Sequence, residues 1–299
     1  MNIPIPDVAE LTSALGGEVT SLQFVTRGGF KAVFKGFIHE NMSEAVKAIY
    51  IPNIEDGISE ELRNELIARA KREIELLGSC TSPSIVKLGN LTNRVVNVTA
   101  GTYIVYSEEF LPGSELTASI SKENKPNPQR LLAVFRFLIE VIDEMIRIGY
   151  VHRDIKPSNI FETGLSDRPF VILDMGIAYK MRGTNFTQGP LPPGTLVYMA
   201  PELLQPDYKD IMDFRCDLYS AALSVYELAT GIQPFASQPG NEYATMYRIL
   251  HDHPRRLKEL RNDLPENFCR IIDRCIRKKP PLRYATLKLL NDDLREVKS

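Results

Sequence analysis

Cysteine is scarce. Cys80, Cys216, Cys269 and Cys275 are the four in 299 residues, and they form no CxxC pair and no metal-ligand spacing. Their scatter excludes a disulfide framework and a zinc finger, and reads as reduced core residues in a cytosolic protein. Charge of one sign is lacking too. With 36 basic and 38 acidic side chains, nothing global favours nucleic acid or an anionic membrane as partner. No apolar run is long enough to cross a bilayer, and the start carries no basic, then apolar, then small-residue pattern, so a cytoplasmic chain with no membrane partner is expected. Internal repeats and low-complexity linkers are also missing. What is present is an ordinary globular composition, 43% hydrophobic and 25% charged, in a chain long enough for about two domain-sized cores.

Periodicity divides the chain. Residues 19–25, 30–38 and 45–51 are apolar and β-rich, separated by Gly28-Gly29 and the polar stretch 39–44. Ile58, Leu62, Leu66, Ala70, Ile74 and Leu77 recur at steps of three or four and predict a long helix with one apolar stripe. Two further strands are expected at about 86–91 and 102–107, and from Gln129 onward helical spacing dominates. Residues 7–15, after Pro4 and Pro6, read as a short helix.

The chemistry is concentrated in Val151-His152-Arg153-Asp154-Ile155-Lys156-Pro157-Ser158-Asn159 and, after an apolar strand, Leu173-Asp174-Met175-Gly176. An Asp, a Lys and an Asn at that spacing can take a hydroxyl proton, neutralise a phosphate and hold a metal. The first run resembles the H-R-D-x-K-x-x-N catalytic loop of eukaryotic-type (Hanks-type) serine/threonine protein kinases, and Asp174-Met175-Gly176 stands where that family has Asp-Phe-Gly. Ala45-Val46-Lys47 precedes them. Gly194-Thr195, Tyr198-Met199-Ala200-Pro201-Glu202, Asp217 and Arg283 follow in the family's order, so the likeness spans roughly 20 to 297.

The resemblance implies an α+β, bilobal protein-kinase-like fold: a small antiparallel β-sheet lobe with one long helix, then a larger, mostly helical lobe. The corresponding division is an N-terminal extension over 1–20, an N-lobe over 21–110 and a C-lobe over 111–299, together one catalytic domain. It further implies ATP and Mg2+. Asp154 would accept or orient the substrate hydroxyl, Lys156 would offset charge on the transferred group, and Asn159 and Asp174 would supply oxygens to the metal. Lys47 would face the phosphates, aimed by a helix carboxylate; Glu73 is preferred over Glu65 and Glu75. Val33 and Ala45 on one side and Phe161 on the other would sandwich adenine, with backbone groups near Glu109, Phe110 and Leu111 as hinge contacts. Leu77, Met175 and His152, footed by Asp217, resemble the family's regulatory column. Glu202 and Arg283 would form a buried ion pair, and Asp217 would hold the catalytic-loop backbone.

The glycine-rich loop departs from the family pattern. Its three glycine positions are Thr26, Gly28 and Lys31 here, so that Lys31 either offers a side-chain charge to phosphate or leaves a loop that closes less tightly. Lys156 and Thr195 match what serine/threonine kinases use, which favours Ser/Thr hydroxyls of protein substrates. Arg153 would pair with a phosphate on the 174–202 segment, with autophosphorylation at Thr184 or Thr187 weighed equally against constitutive activity, since Leu191 replaces the hydroxyl three before Gly194. Two rivals remain: a pseudokinase scaffold that binds nucleotide, and a small-molecule phosphotransferase. The complete set Lys47, Asp154, Asn159 and Asp174 argues against the first, and Arg153, Lys156 and Ala200-Pro201-Glu202 against the second. His251-Asp252-His253 and Arg255-Arg256-Leu257-Lys258 read as a helix end and a solvated face.

Overall fold

The computed structural model describes residues 3–28, 30–38, 42–53, 58–175, 179–180, 196–238 and 240–297. The chain divides into two compact units. One comprises residues up to Cys80 with Val86–Pro112; the other comprises Thr81–Ile85 and most of the chain from Gly113 onward.

The first unit begins with α1 (Val8–Ala14), whose N-cap Asp7 accepts the backbone N–H groups of Ala9 and Glu10 at 2.9 and 3.1 Å. Then come β1 (Val19–Gly28), β2 (Lys31–Ile38), β3 (Met42–Ile51), α2 (Glu60–Ser79), β4 (Arg94–Val98) and β5 (Gly101–Glu109). The strands form an antiparallel sheet in the order β1-β2-β3-β5-β4. Alternation gives it two unlike faces. Ala32, Phe34, Val46, Ala48, Tyr103 and Val105 form an apolar core with Leu11 and Leu15 of α1, so residues before 20 belong to this core. The opposite face carries Lys31, Val33, Ala45, Lys47, Tyr106 and Glu108, since Val33 pairs with Lys47, Ala45 with Glu108 and Lys47 with Tyr106.

The expected helix over 58–77 is present as α2, capped by Ser59, and its buried stripe starts at Leu66. The strand expected at about 86–91 is not. Ile85 and Val86 are both buried, and the segment makes isolated bridges, Leu88 to Glu108 and Ile85 to Ile172, because consecutive inward residues break the alternation a half-buried strand needs. The edge strand is β4 instead, one hairpin turn before β5.

The second unit contains β6 (Ser114–Glu115), α3 (Pro128–Arg147), β7 (Tyr150–Val151), β8 (Ile160–Glu162), β9 (Phe170–Ile172), β10 (Tyr179–Lys180), α4 (Tyr208–Ile211), α5 (Phe214–Thr230), α6 (Glu242–His251), α7 (Leu257–Leu260), α8 (Glu266–Cys275) and α9 (Leu287–Arg295). Helix α5 is buried nearly all round and packs between α3 and α8. Gly231 ends it at φ +70°, where a Cβ would lie 2.8 Å from the backbone of Ser121 and Lys122, so both conformation and space require glycine. Three short strands in the order β6-β8-β9, and the pair β7 and β10, hold the loops that carry the chemistry. This is the α+β arrangement expected, a small antiparallel sheet with one long helix followed by a mainly helical unit. Among the described residues, no helix is long and apolar enough to cross a membrane.

Candidate active site

The loop after β7 is held from below by Asp217, in the first turn of α5. Its two carboxylate oxygens accept the backbone N–H groups of His152 at 2.7 Å and Arg153 at 2.8 Å. Arg153 adopts φ +67°, a left-handed conformation costly for a branched-out side chain, and the paired acceptor keeps it there. Burial pushes the Asp217 carboxyl up to about 7, against the pull of those two N–H groups.

Asp154 is the centre of the loop. Its Oδ2 accepts Lys156 Nζ and Asn159 Nδ2, each at 2.9 Å, and Asn159 Nδ2 also donates to the Asp154 carbonyl at 2.9 Å. Oδ1 is buried and has no hydrogen-bond partner among the described residues. Burial raises the Asp154 carboxyl above the ordinary range, with the Lys156 ammonium pulling the other way. Because the Asn159 amide spends its N–H side on Asp154, its Oδ1 faces away from that carboxylate. Leu173 N–H donates to the Asn159 carbonyl at 2.7 Å, and Ile160 pairs with Ile172, so Asn159 and Asp174 stand at the same end of the β8–β9 hairpin. Asp174 adopts φ +60°. An amide oxygen and a carboxylate so placed are hard oxygen donors, and they fit Mg2+ better than a softer metal. Phe161 lies on β8 in the same unit, half-buried.

His152 is fully buried, and its Nδ1 accepts the Asp154 N–H at 3.2 Å, which places the ring proton on Nε2. Burial lowers the imidazole from 6.5 to about 4. Between those values the unfolded chain binds a proton that the folded one does not, so stability present above about pH 6.5 is lost as pH falls toward 4, roughly 3 kcal/mol in all. The gap in unfolding free energy between wild type and His152→Phe is therefore expected to shrink by about 2 kcal/mol from pH 7 to pH 5 in urea titrations. A gap that does not change with pH would contradict a buried neutral histidine.

The first unit corrects one expectation. Lys47 does not pair with Glu73; its Nζ lies 2.5 Å from Glu108 Oε1, and both side chains are buried. Glu73 sits on the buried stripe of α2, unlike Glu65 and Glu75, and there binds Lys31 Nζ at 2.6 Å. The Tyr106 hydroxyl lies 2.8 Å from Glu73 and 3.2 Å from Glu108, so its one proton bridges the two carboxylates. Burial raises the Glu108 carboxyl, opposed by Lys47. The reason is register: Glu108 faces Ala45 across the β3–β5 ladder and shares the face of Lys47, whereas Glu73 comes from a separate element. The polarity of Ser107-Glu108-Glu109 was the only signal in the sequence. Gly28 ends β1 with open space beside it, and Glu109 pairs with the Lys87 backbone, N–H to carbonyl at 3.0 Å and carboxylate to N–H at 2.7 Å. Leu111 follows β5 half-buried.

Glu202 and Arg283 pair as expected, with Arg283 Nη1 and Nη2 at 2.6 and 2.8 Å from the two carboxylate oxygens. Glu227 accepts the Tyr198 hydroxyl at 2.5 Å and is committed to that contact. His251 stacks on Tyr247 and Asp252 takes Arg248, which agrees with a helix end. Among the described residues no cluster of His, Cys, Asp and Glu forms a metal site by itself. Gly176, Thr184, Thr187, Leu191, Gly194 and Thr195 lie outside the described residues.

A proton acceptor flanked by lysine and asparagine, with oxygen donors on the neighbouring hairpin, defines the class of kinase-like phosphotransferase folds. A family model described as protein kinase domain matches residues 19–294, and the chain belongs to that family. A probable serine/threonine-protein kinase of Clostridium perfringens is 26% identical over 290 residues, 95% of this chain and 39% of its own length. Another, of Clostridium acetobutylicum, is 28% identical over 274 residues, 91% of this chain and 38% of its own. The serine/threonine-protein kinase PknE of Mycobacterium tuberculosis is 26% identical over 266 residues, covering 88% and 43%. The chain thus spans about two fifths of the length of the curated relatives it matches.

Proposed function

We propose that this chain is an ATP-dependent serine/threonine protein kinase, acting in the cytoplasm on protein hydroxyls and on its own Thr184 or Thr187. The observation that carries the reading is the unpartnered, buried Oδ1 of Asp154 beside an Oδ2 already committed to Lys156 and Asn159. That oxygen is left to receive the proton of an incoming hydroxyl. As the hydroxyl oxygen bonds to the γ-phosphorus, the bond to the β,γ-bridging oxygen breaks, ADP leaves, and the proton passes to Asp154. Lys156 offsets charge on the group in transit. Bound Mg2+ would neutralise the phosphates, held by Asn159 Oδ1 and the Asp174 carboxylate. Asp217 keeps the loop in its left-handed turn, and Val33 and Ala45, on the sheet face that carries Lys47, would supply apolar surface for the adenine. The names of the relatives support Ser and Thr as acceptors.

The test is transfer of label from γ-labelled ATP with Mg2+ to a generic basic protein and to the chain itself, followed by phosphoamino-acid analysis. Label on Ser or Thr supports the reading. Nucleotide binding without label on any protein acceptor would replace it with a scaffold or small-molecule activity.

A further inference from the structure

Glu108 stands on β5 directly across from Ala45 of β3, and Ala45 shares that sheet face with Val33 and Lys47. Its side chain is 3% exposed. One oxygen, Oε1, receives both of its hydrogen bonds, from Lys47 Nζ at 2.5 Å and from the Tyr106 hydroxyl at 3.2 Å. Oε2 accepts nothing among the described residues. A buried ion pair is commonly no more stable than apolar side chains of the same size, so stability alone does not account for a carboxylate at this place.

Cross-strand neighbours stand about 5 Å apart at Cβ, so a base resting on Val33 and Ala45 lies within reach of the glutamate opposite Ala45. With one edge turned to the backbone of residues 109–111, such a base meets Glu108 next along the strand. Purines differ in the group it would meet. Adenine carries a 6-amino donor, whereas guanine carries a 6-oxo acceptor, as does hypoxanthine. A carboxylate paired with an ammonium offers only acceptors, so it bonds the first and opposes the others. Lys47 keeps the phosphate role expected of it, because its ammonium has three donors and Glu108 takes one.

Resting on the kinase reading, we propose that Glu108 is a specificity-determining residue for the nucleotide: its Oε2 accepts the 6-amino group of ATP and excludes 6-oxopurine triphosphates, while Oε1 stays with Lys47.

The test compares calorimetric binding of ADP and IDP, each with Mg2+, and kcat/KM for transfer from ATP and ITP. IDP differs from ADP in its 6-oxo group and the proton this places on N1; the phosphates are the same, so Lys47 contributes alike to both. Wild type is expected to prefer ADP by about a hundredfold or more, and a preference below about tenfold overturns the proposal. Glu108→Gln keeps the size of the side chain. Its carbonyl must turn to Lys47 and Tyr106, which leaves an NH2 where Oε2 was. The variant is expected to bind ADP more weakly and IDP more tightly, lowering the preference by about tenfold or more, with the ATP to ITP ratio following. A glutamate that only supported Lys47 would weaken both nucleotides together and leave the ratio unchanged. Glu108→Met, which has neither donor nor acceptor there, is expected to lower the preference as well and decides the matter if the glutamine variant does not fold. A ratio within threefold of wild type in the folded variant overturns this proposal alone when Asp154-dependent transfer persists in the wild type. Wild-type protein that binds neither ADP nor IDP and transfers no label overturns the kinase reading itself.

Discussion

Asp154→Asn is expected to lower kcat for phosphoryl transfer by about 10²- to 10⁴-fold while the protein stays folded, with ADP affinity within threefold of wild type. Asn has the size and shape of Asp, so packing is retained. Its hydrogen bonding is not. Oδ2 of Asp154 accepts from Lys156 and Asn159, so the substituted amide must turn its carbonyl to those donors and its NH2 to the position of the unpartnered Oδ1. A donor then faces the incoming hydroxyl, and the base is gone. Burial raises the Asp154 carboxyl, so the acid limb of wild-type kcat is expected above the pH at which an ordinary aspartate titrates. Steady-state kinetics over pH, with melting curves as a fold control, check both points. A variant within tenfold of wild type would remove Asp154 from the reaction.

Arg283→Met is expected to cost about 3 to 5 kcal/mol of folding stability. Arg283 is almost wholly buried, and besides Glu202 its guanidinium donates to the backbone carbonyls of Arg215, Arg277 and Lys278. It also lies 4.8 Å from the centre of the Tyr219 ring. Removing it leaves the Glu202 carboxylate without its guanidinium partner and takes one donor from each of three carbonyls in an apolar interior. Adding Glu202→Met removes the stranded charge and is expected to recover part of the loss. Urea unfolding of the two variants measures this; a loss below about 1 kcal/mol for Arg283→Met would show that water reaches Glu202.

Motif spacing made the grouping of the Asp154 loop, and its support by Asp217, legible in advance. Asp154, Lys156, Asn159 and Asp217 lie within short runs whose geometry is local, or, for Asp217, on a helix whose first turn meets that run. Strands β1, β2, β3 and β5 and helix α2 were legible from period. The region 86–91 misled because its apolar residues are buried without alternation, and β4, Arg94–Val98, was hidden because it is only five residues long and buries a single one of its three valines, Val96. The core role of α1 was illegible too, since nothing in a seven-residue helix says which sheet face it covers.

By itself, the sequence determined the family and the Glu202–Arg283 tie, and it put Asp154, Lys156 and Asn159 on one short run, because each depends on residue type at a set spacing. Only the tertiary structure decided which carboxylate holds which lysine. Glu73 and Glu108 are both available to Lys31 and Lys47, and the pairing depends on the β3–β5 register and on the place of α2 against the sheet, distances set by packing across the chain. Side chains alternate between the faces of the sheet, so a slip of one strand position would turn Lys47 or Glu108 to the other face and break the pair.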